Sequence, residues 1–195
     1  MTTLIAPLVP SQPPTPPLLT AEEFVRRYPD HGCVVELVRG VVKVLPMPGL
    51  DHGFVCSTVS FFLNLYVREH NIGRVPTNDT SIKTYSNPDS VRAPDVAYFS
   101  YERLPKGRMP RGLPDVSPEI TVEVRSPSDS WTDVFAKVIE FLGAKVRVVI
   151  VLDPDTLTAS VYRPDTLQEI LRAGDTLTIP DVLPGFAVAV DRLFE

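Results

Sequence analysis

The sequence has little from which to build a disulfide framework, a histidine-rich metal site or a membrane span. Its two cysteines, Cys33 and Cys56, lie in apolar surroundings without the CxxC spacing of zinc or redox motifs, so both read as small buried hydrophobes. The three histidines, His31, His52 and His70, are too few for a histidine cluster. No apolar run approaches the roughly 18 residues that cross a bilayer. The first seven residues lack the charged start and long apolar core of a secretory signal, and a cytoplasmic protein is the expectation. There is no P-loop, no Rossmann glycine fingerprint, no G-x-S-x-G elbow around Ser126 or Ser128, no H-E-x-x-H and no internal repeat. A net charge of −5 argues against a protein that coats nucleic acid nonspecifically, while leaving room for a local basic patch.

What is present suits one folded domain. A chain of 195 residues with 44% hydrophobic content can bury a proper core. Residues 1–17 are the exception: Pro7, Pro10, Pro13, Pro14, Pro16 and Pro17 remove backbone donors, so this stretch reads as a disordered proline-rich tail ahead of a single domain over 18–195. Thr20 and Glu23 have the spacing of a capping box and predict a short helix through Arg27. Residues 33–38 and 41–45 are β-branched runs joined at Arg39-Gly40, which predicts a hairpin. Glu36 then lies inside a valine-rich strand, facing either solvent on the open side of the hairpin or a cleft.

Asp51 is the expected cap of a helix over 54–67, apolar around most of its circumference and expected to be central and well buried. His52 falls in its first turn, where by itself it reads as structural. Asn71-Ile72-Gly73 ends that helix. Residues 74–85 predict one or two strands, and 86–89 a turn. Residues 91–99 read as one strand carrying Arg92 and Asp95, and 119–126 as another carrying Glu123 and Arg125. Ser128 or Asp129 is the expected cap of the next helix, whose apolar face is Val134, Phe135, Val138, Ile139 and Leu142, with Asp133, Lys137 and Glu140 on the other face. Residues 146–152 form an apolar strand, and 158–162, 168–172 and 176–179 a meander of short ones.

Two carboxylates on adjacent strands can hold Mg²⁺ or Mn²⁺, ions that prefer oxygen ligands and keep several waters. Asp95 and Glu123 are the expected metal ligands. A nearby ammonium would neutralise charge developing on an attacked phosphodiester, and Lys137 is its candidate; its ordinary alternative is an i,i+4 pair with Asp133. Between the two acidic strands lies a loop with Arg103, Lys106, Arg108 and Arg111, four cations in nine residues, which either bind a polyanionic substrate beside the acidic site or belong to a solvated surface loop.

In order, residues 36–40 (ELVRG), His52 at a helix start, Thr77-Asn78-Asp79, residues 92–97 (RAPDVA) and residues 123–128 (EVRSPS) resemble the motifs of the Uma-two family of endonuclease-like proteins, within the PD-(D/E)XK restriction-endonuclease-like superfamily. The resemblance covers roughly residues 20–190. It implies an α/β fold with a central mixed sheet flanked by helices and additional hairpins. It also implies a Mg²⁺-dependent (or Mn²⁺-dependent) endonuclease acting on DNA. By position, Asp95 matches the superfamily aspartate and Glu123 the acidic member of the E-x-K element. Arg125 stands where that element has lysine; it can bind a phosphate but does not orient water as a lysine does. The family's lysine position on the following helix is matched by Lys137, and Glu36 and His52 match positions that complete the acidic cluster or handle protons. A homodimer is compatible with cutting both strands of a duplex. The alternative is a catalytically inactive nuclease fold that binds nucleic acid or protein, since a fold does not guarantee activity.

Overall fold

The computed structural model describes residues 17–29, 35–77, 80–107 and 109–195. The proline-rich tail up to residue 16, His31, Cys33 and Arg108 therefore lie outside the described residues. The chain forms α1 (Ala21–Arg27), β1 (Val35–Val38), β2 (Val41–Val44), α2 (Leu50–His70), β3 (Gly73–Arg74), β4 (Ile82–Tyr85), β5 (Ser90–Arg92), β6 (Val96–Ser100), β7 (Ile120–Val124), α3 (Trp131–Gly143), β8 (Val148–Asp153), β9 (Thr158–Tyr162), β10 (Glu169–Leu171), β11 (Thr176–Ile179), β12 (Leu183–Ala189) and a closing 3₁₀ turn (Asp191–Leu193).

Local chemistry explains the boundaries. At α1, the Thr20 side chain accepts from the Glu23 backbone while Glu23 accepts from the Thr20 backbone, the expected reciprocal cap. Arg39 and Gly40 both have positive φ, at 51° and 79°, and close the β1–β2 hairpin with Val38 opposite Val41. Two central residues of that hand match the twist of the flanking strands. Asn71, at φ 52°, caps the C-terminus of α2. Gly73 answers a steric demand: a Cβ there would stand 2.3 Å from the Phe99 carbonyl oxygen.

The central sheet is six-stranded and mixed, in the order β10-β9-β8-β7-β6-β3, with β7 and β8 parallel across the α3 crossover and the other pairs antiparallel. A four-stranded sheet, β2-β1-β5-β4, and the β11–β12 pair complete it. Alternation along β7 sends Ile120, Val122 and Val124 to one core with α2, β11 and β12. On the opposite face, α3 packs Val134, Val138 and Phe141 against Ala97, Phe99, Val149 and Val151. Thr121 and Glu123 share that α3-facing side by alternation.

Several expectations need correction. The expected strand over 91–99 is two strands, β5 in the smaller sheet and β6 in the central one, with Asp95 in the break. Gly49 and not Asp51 is the N-cap of α2, which continues to His70. That helix is not buried throughout: Val55, Val59, Leu63 and Val67 line one stripe against the sheet, while Leu50, Phe54, Phe61 and Leu65 are exposed. Ser130 caps α3, accepting from the Asp133 amide, in place of Ser128 or Asp129. Phe135 and Ile139, expected in the α3 core face, are exposed, and Phe141 takes the buried position. β12 was not expected at all; it carries Pro184 and Gly185 and its pairing is irregular near its start. Among the described residues, no helix is long and apolar enough to cross a membrane.

Candidate metal and catalytic centre

The break between β5 and β6 is what aims Asp95. Pro94 ends the extended path from β5, and the Asp95 carboxylate turns toward the end of β7, where its Oδ2 accepts from the Val124 N–H at 2.6 Å. Its other oxygen, Oδ1, lies 3.3 Å from His52 Nε2 on the first turn of α2. Glu123 comes from β7, one residue before Val124, and is buried. Its Oε2 accepts from Lys137 Nζ at 2.8 Å, while Oε1 is buried and has no hydrogen-bond partner among the described residues. Lys137, on α3, also lies 3.5 Å from Glu36 Oε1. Five segments distant in sequence, β1, α2, the β5–β6 break, β7 and α3, thus bring the candidate residues Glu36, His52, Asp95, Glu123 and Lys137 together.

Glu36 settles as a buried residue, with a side chain that is not solvent-facing. Its second oxygen accepts from Arg92 at 2.8 Å, and Arg92 in turn makes a two-pronged pair with Glu140 at 2.7 and 2.8 Å. Burial pulls the Arg92 pKa down, but the hydrogen-bonded Glu140 and the charge of Glu36 outweigh it and raise it overall. The same contact lowers Glu140 against the upward pull of its own burial. Arg92, expected to bind substrate, is therefore a buried strut holding Glu36 and α3 in place.

Electrostatics at the centre follow from crowding three carboxylates around one ammonium. Burial pushes the Glu123 carboxyl up to about 8, the charges of Asp95 and Glu36 adding to the shift and Lys137 opposing it. Burial would lower Lys137, but Glu123 first and then Glu36 outweigh it, so the ammonium is held in its charged form. Lys137 is accordingly a cation and hydrogen-bond donor. The expected alternative, a pairing with Asp133, does not occur: Asp133 pairs with Lys43 at 2.9 Å.

A cavity of about 240 Å³ opens over this group, lined among others by His52, Asp95, Glu123, Lys137, Arg125 and Lys43. Liquid water occupies about 30 Å³ per molecule, so several waters fit. Arg125 donates to Asp153 at 2.9 Å and Asp155 at 2.8 Å and lies over the Trp131 ring, so it reaches the rim already paired. Lys43 is a cavity residue that the sequence reading missed. The signal was available: the Arg39-Gly40 turn sets a register in which Lys43 stands opposite Glu36.

The described residues of the basic loop do not line this cavity. The loop joins the C-terminal end of β6 to the N-terminal end of β7, whereas Asp95 precedes β6 and Glu123 lies near the end of β7. Antiparallel pairing places the loop at the opposite end of the two strands, about four residues or about 13 Å away. Arg103 there donates to the carbonyls of Ser117, Pro118 and Lys145 and pairs with Glu119 at 3.3 Å. Lys106 lies over the Tyr101 ring. Arg111 lines a larger hollow, about 900 Å³, between α1, β4 and residues 111–117, well away from the carboxylates.

Comparisons with known proteins bear on the fold and the family. The family model described as "Uma2: Putative restriction endonuclease" matches residues 21–191. A solved structure described as a "putative nuclease belonging to DUF820", from Anabaena variabilis ATCC 29413, superposes with a TM-score of 0.78 at 23% identity, covering 90% of this chain and 97% of that one. No curated protein matches.

Proposed function

The chain belongs to the Uma2 family of restriction-endonuclease-like proteins, and from that premise we propose that it is a divalent-metal-dependent endonuclease hydrolysing phosphodiester bonds in DNA. The observation that carries the reading is Glu123, which lines one cavity with Asp95 and whose Oε1 is a buried acceptor with no partner among the described residues. Leaving such an acceptor unsatisfied costs about 1–3 kcal/mol, more for a charged group, so its presence calls for a cation. An all-oxygen pair suits Mg²⁺ or Mn²⁺, with the remaining positions left to water and phosphate oxygens. Asp95 and Glu123 would hold the ion, which when bound supplies a more acidic water and neutralises phosphate charge.

The side chains around it have separable tasks. The Val124 amide fixes one Asp95 oxygen, while the other lies against His52. Lys137, held protonated, donates to a phosphate oxygen or to the attacking water and balances the negative charge gathered there. Glu36 and Arg92 hold Lys137 and α3 at the right height. His52 steadies Asp95 from the α2 side. Arg125 and Lys43 stand at the rim, where a phosphate backbone would compete with Asp153, Asp155 and Asp133 for them. Cutting both strands of a duplex calls for two such centres, so the active form is proposed to be a homodimer, for sedimentation equilibrium to test.

Incubation of supercoiled plasmid with the protein and Mg²⁺ or Mn²⁺ tests the proposal. Nicked and linear products are expected from the intact chain, and at least a 100-fold loss from Asp95→Asn, Glu123→Gln and Lys137→Met. DNA binding without cleavage under all metals would instead favour an inactive, nucleic-acid-binding member of the fold.

A further inference from the structure

We propose that His52, Cys56 and Asp95 form a three-ligand site for a borderline-soft transition ion, with Zn²⁺ as its expected occupant, beside the Asp95–Glu123 pair. The site is distinct in chemistry from the all-oxygen centre and does not require the nuclease reading. Spacing on α2 supplies two of the ligands: residues four apart share a helix face, so the His52 imidazole and the Cys56 thiol lie together, with Sγ 3.5 Å from Nδ1 and 4.0 Å from Nε2. Asp95 comes from the break before β6, with Oδ1 3.3 Å from Nε2. One donor atom from each of the three residues can be chosen so that all lie within 4.8 Å of one another.

These distances can be compared with a tetrahedral zinc shell. Bonds of about 2.0 Å to nitrogen and oxygen and about 2.3 Å to sulfur imply edges of about 3.3 Å between N and O and about 3.5 Å between N and S. The observed N···O separation equals the first value. The N···S separation from Nε2 exceeds the second by about half an ångström, within reach of a small rotation of either side chain.

Two further features support a ligand site. Oδ2 of Asp95, the oxygen not facing His52, is fixed by the Val124 amide, the kind of hydrogen bond that orients a metal-binding carboxylate. The three residues also open into a second hollow of about 280 Å³, bounded by Pro48, Ser57, Ser60 and Thr77, on the α2 side of His52 and Asp95. That hollow offers room for a water as fourth ligand. Thiolate and imidazole select Zn²⁺ or Co²⁺ over Mg²⁺, which takes oxygen ligands. Asp95 would be common to both centres.

Cobalt spectroscopy of the full chain, stripped of metal and kept reduced, reads the site directly. One equivalent of Co²⁺ is expected to give a thiolate-to-cobalt charge-transfer band, bleached by one equivalent of Zn²⁺. Cys56→Ser should abolish the band and His52→Ala should weaken binding at least tenfold, whereas Cys33→Ser and Glu123→Gln should leave it. Alkylation of Cys56 in the unmodified protein, mapped by mass spectrometry, should slow at least tenfold with Zn²⁺ and gives an answer even if a variant does not fold. Absence of the band, its survival in Cys56→Ser, its loss in Cys33→Ser, or an unchanged alkylation rate would each overturn the assignment. A band without plasmid cleavage would sink the nuclease reading alone, and cleavage without a band would sink this one alone.

Discussion

Replacing Glu123 by glutamine should change how stability depends on pH, and the size of the change follows from the site's burial. The Glu123 carboxyl is raised from an ordinary value of 4.5 to about 8 in the folded chain. The folded state therefore holds this proton more tightly than the unfolded one, so the associated stability is fully present below pH 4.5 and is lost as pH rises through about 8. Each pH unit in that window removes at most about 1.4 kcal/mol, or about 5 kcal/mol across it, an upper figure because Lys137 shares the same charge balance. Lys137 stays charged throughout, its own pKa being raised, and does not contribute a slope of its own. Glutamine keeps an acceptor for Lys137 and removes the titration. Urea unfolding with EDTA at pH 5, 6, 7 and 8 should show the intact chain losing stability relative to Glu123→Gln by about 1 kcal/mol per unit. Parallel pH profiles for the two proteins would refute the account of a carboxyl crowded by Asp95 and Glu36.

Other consequences are tested by similar means. Arg92→Met strands the buried Glu36 and the partly buried Glu140, and should cost about 3–5 kcal/mol in chemical denaturation; an effect under 1 kcal/mol would contradict its role as a strut. Thr20→Ala removes the α1 cap and should cost about 1 kcal/mol by the same measurement. Arg125→Ala, at the rim and already paired with Asp153 and Asp155, should raise the KM for plasmid several-fold while leaving kcat within about threefold. Reversing Arg103 to glutamate should leave cleavage unchanged in a folded variant, because the loop lies at the other end of β6 and β7.

Local signals in the sequence translated well into structure wherever the physics was local. The capping box at Thr20 and the positive-φ pair Arg39-Gly40 need only their neighbours, and both appear where expected. The gathering of Asp95, Glu123 and Lys137 was legible through alternation and motif order. Burial was harder to read. Glu36 sits among valines in β1, and its buried state depends on Arg92 arriving from β5, 56 residues later. The basic loop misled because sequence adjacency to Asp95 and Glu123 is reversed by antiparallel pairing. α2 misled because its apolar surplus exceeds what one stripe can bury. β12 escaped because a strand containing Pro184 and Gly185 contradicts local strand chemistry and is sustained by its pairing with β11.

The cation of the centre rides on a helix, while the carboxylate it meets rides on a strand, and this division makes the two unequal in how sequence change can move them. Shifting Glu123 by one residue along β7 turns it to the opposite face of the sheet. Along α3, by contrast, Asp133, Lys137 and Glu140 recur on one side, so a lysine moved by one turn travels about 5.4 Å and still faces the carboxylates. The charge is thus transposable: an exchange of Lys137 with a lysine at position 133 slides the cation toward Lys43 and the rim without rebuilding the sheet. A fold arranged in this way can relocate its positive charge through point substitutions while Glu36 and Glu123 stay where the strands put them.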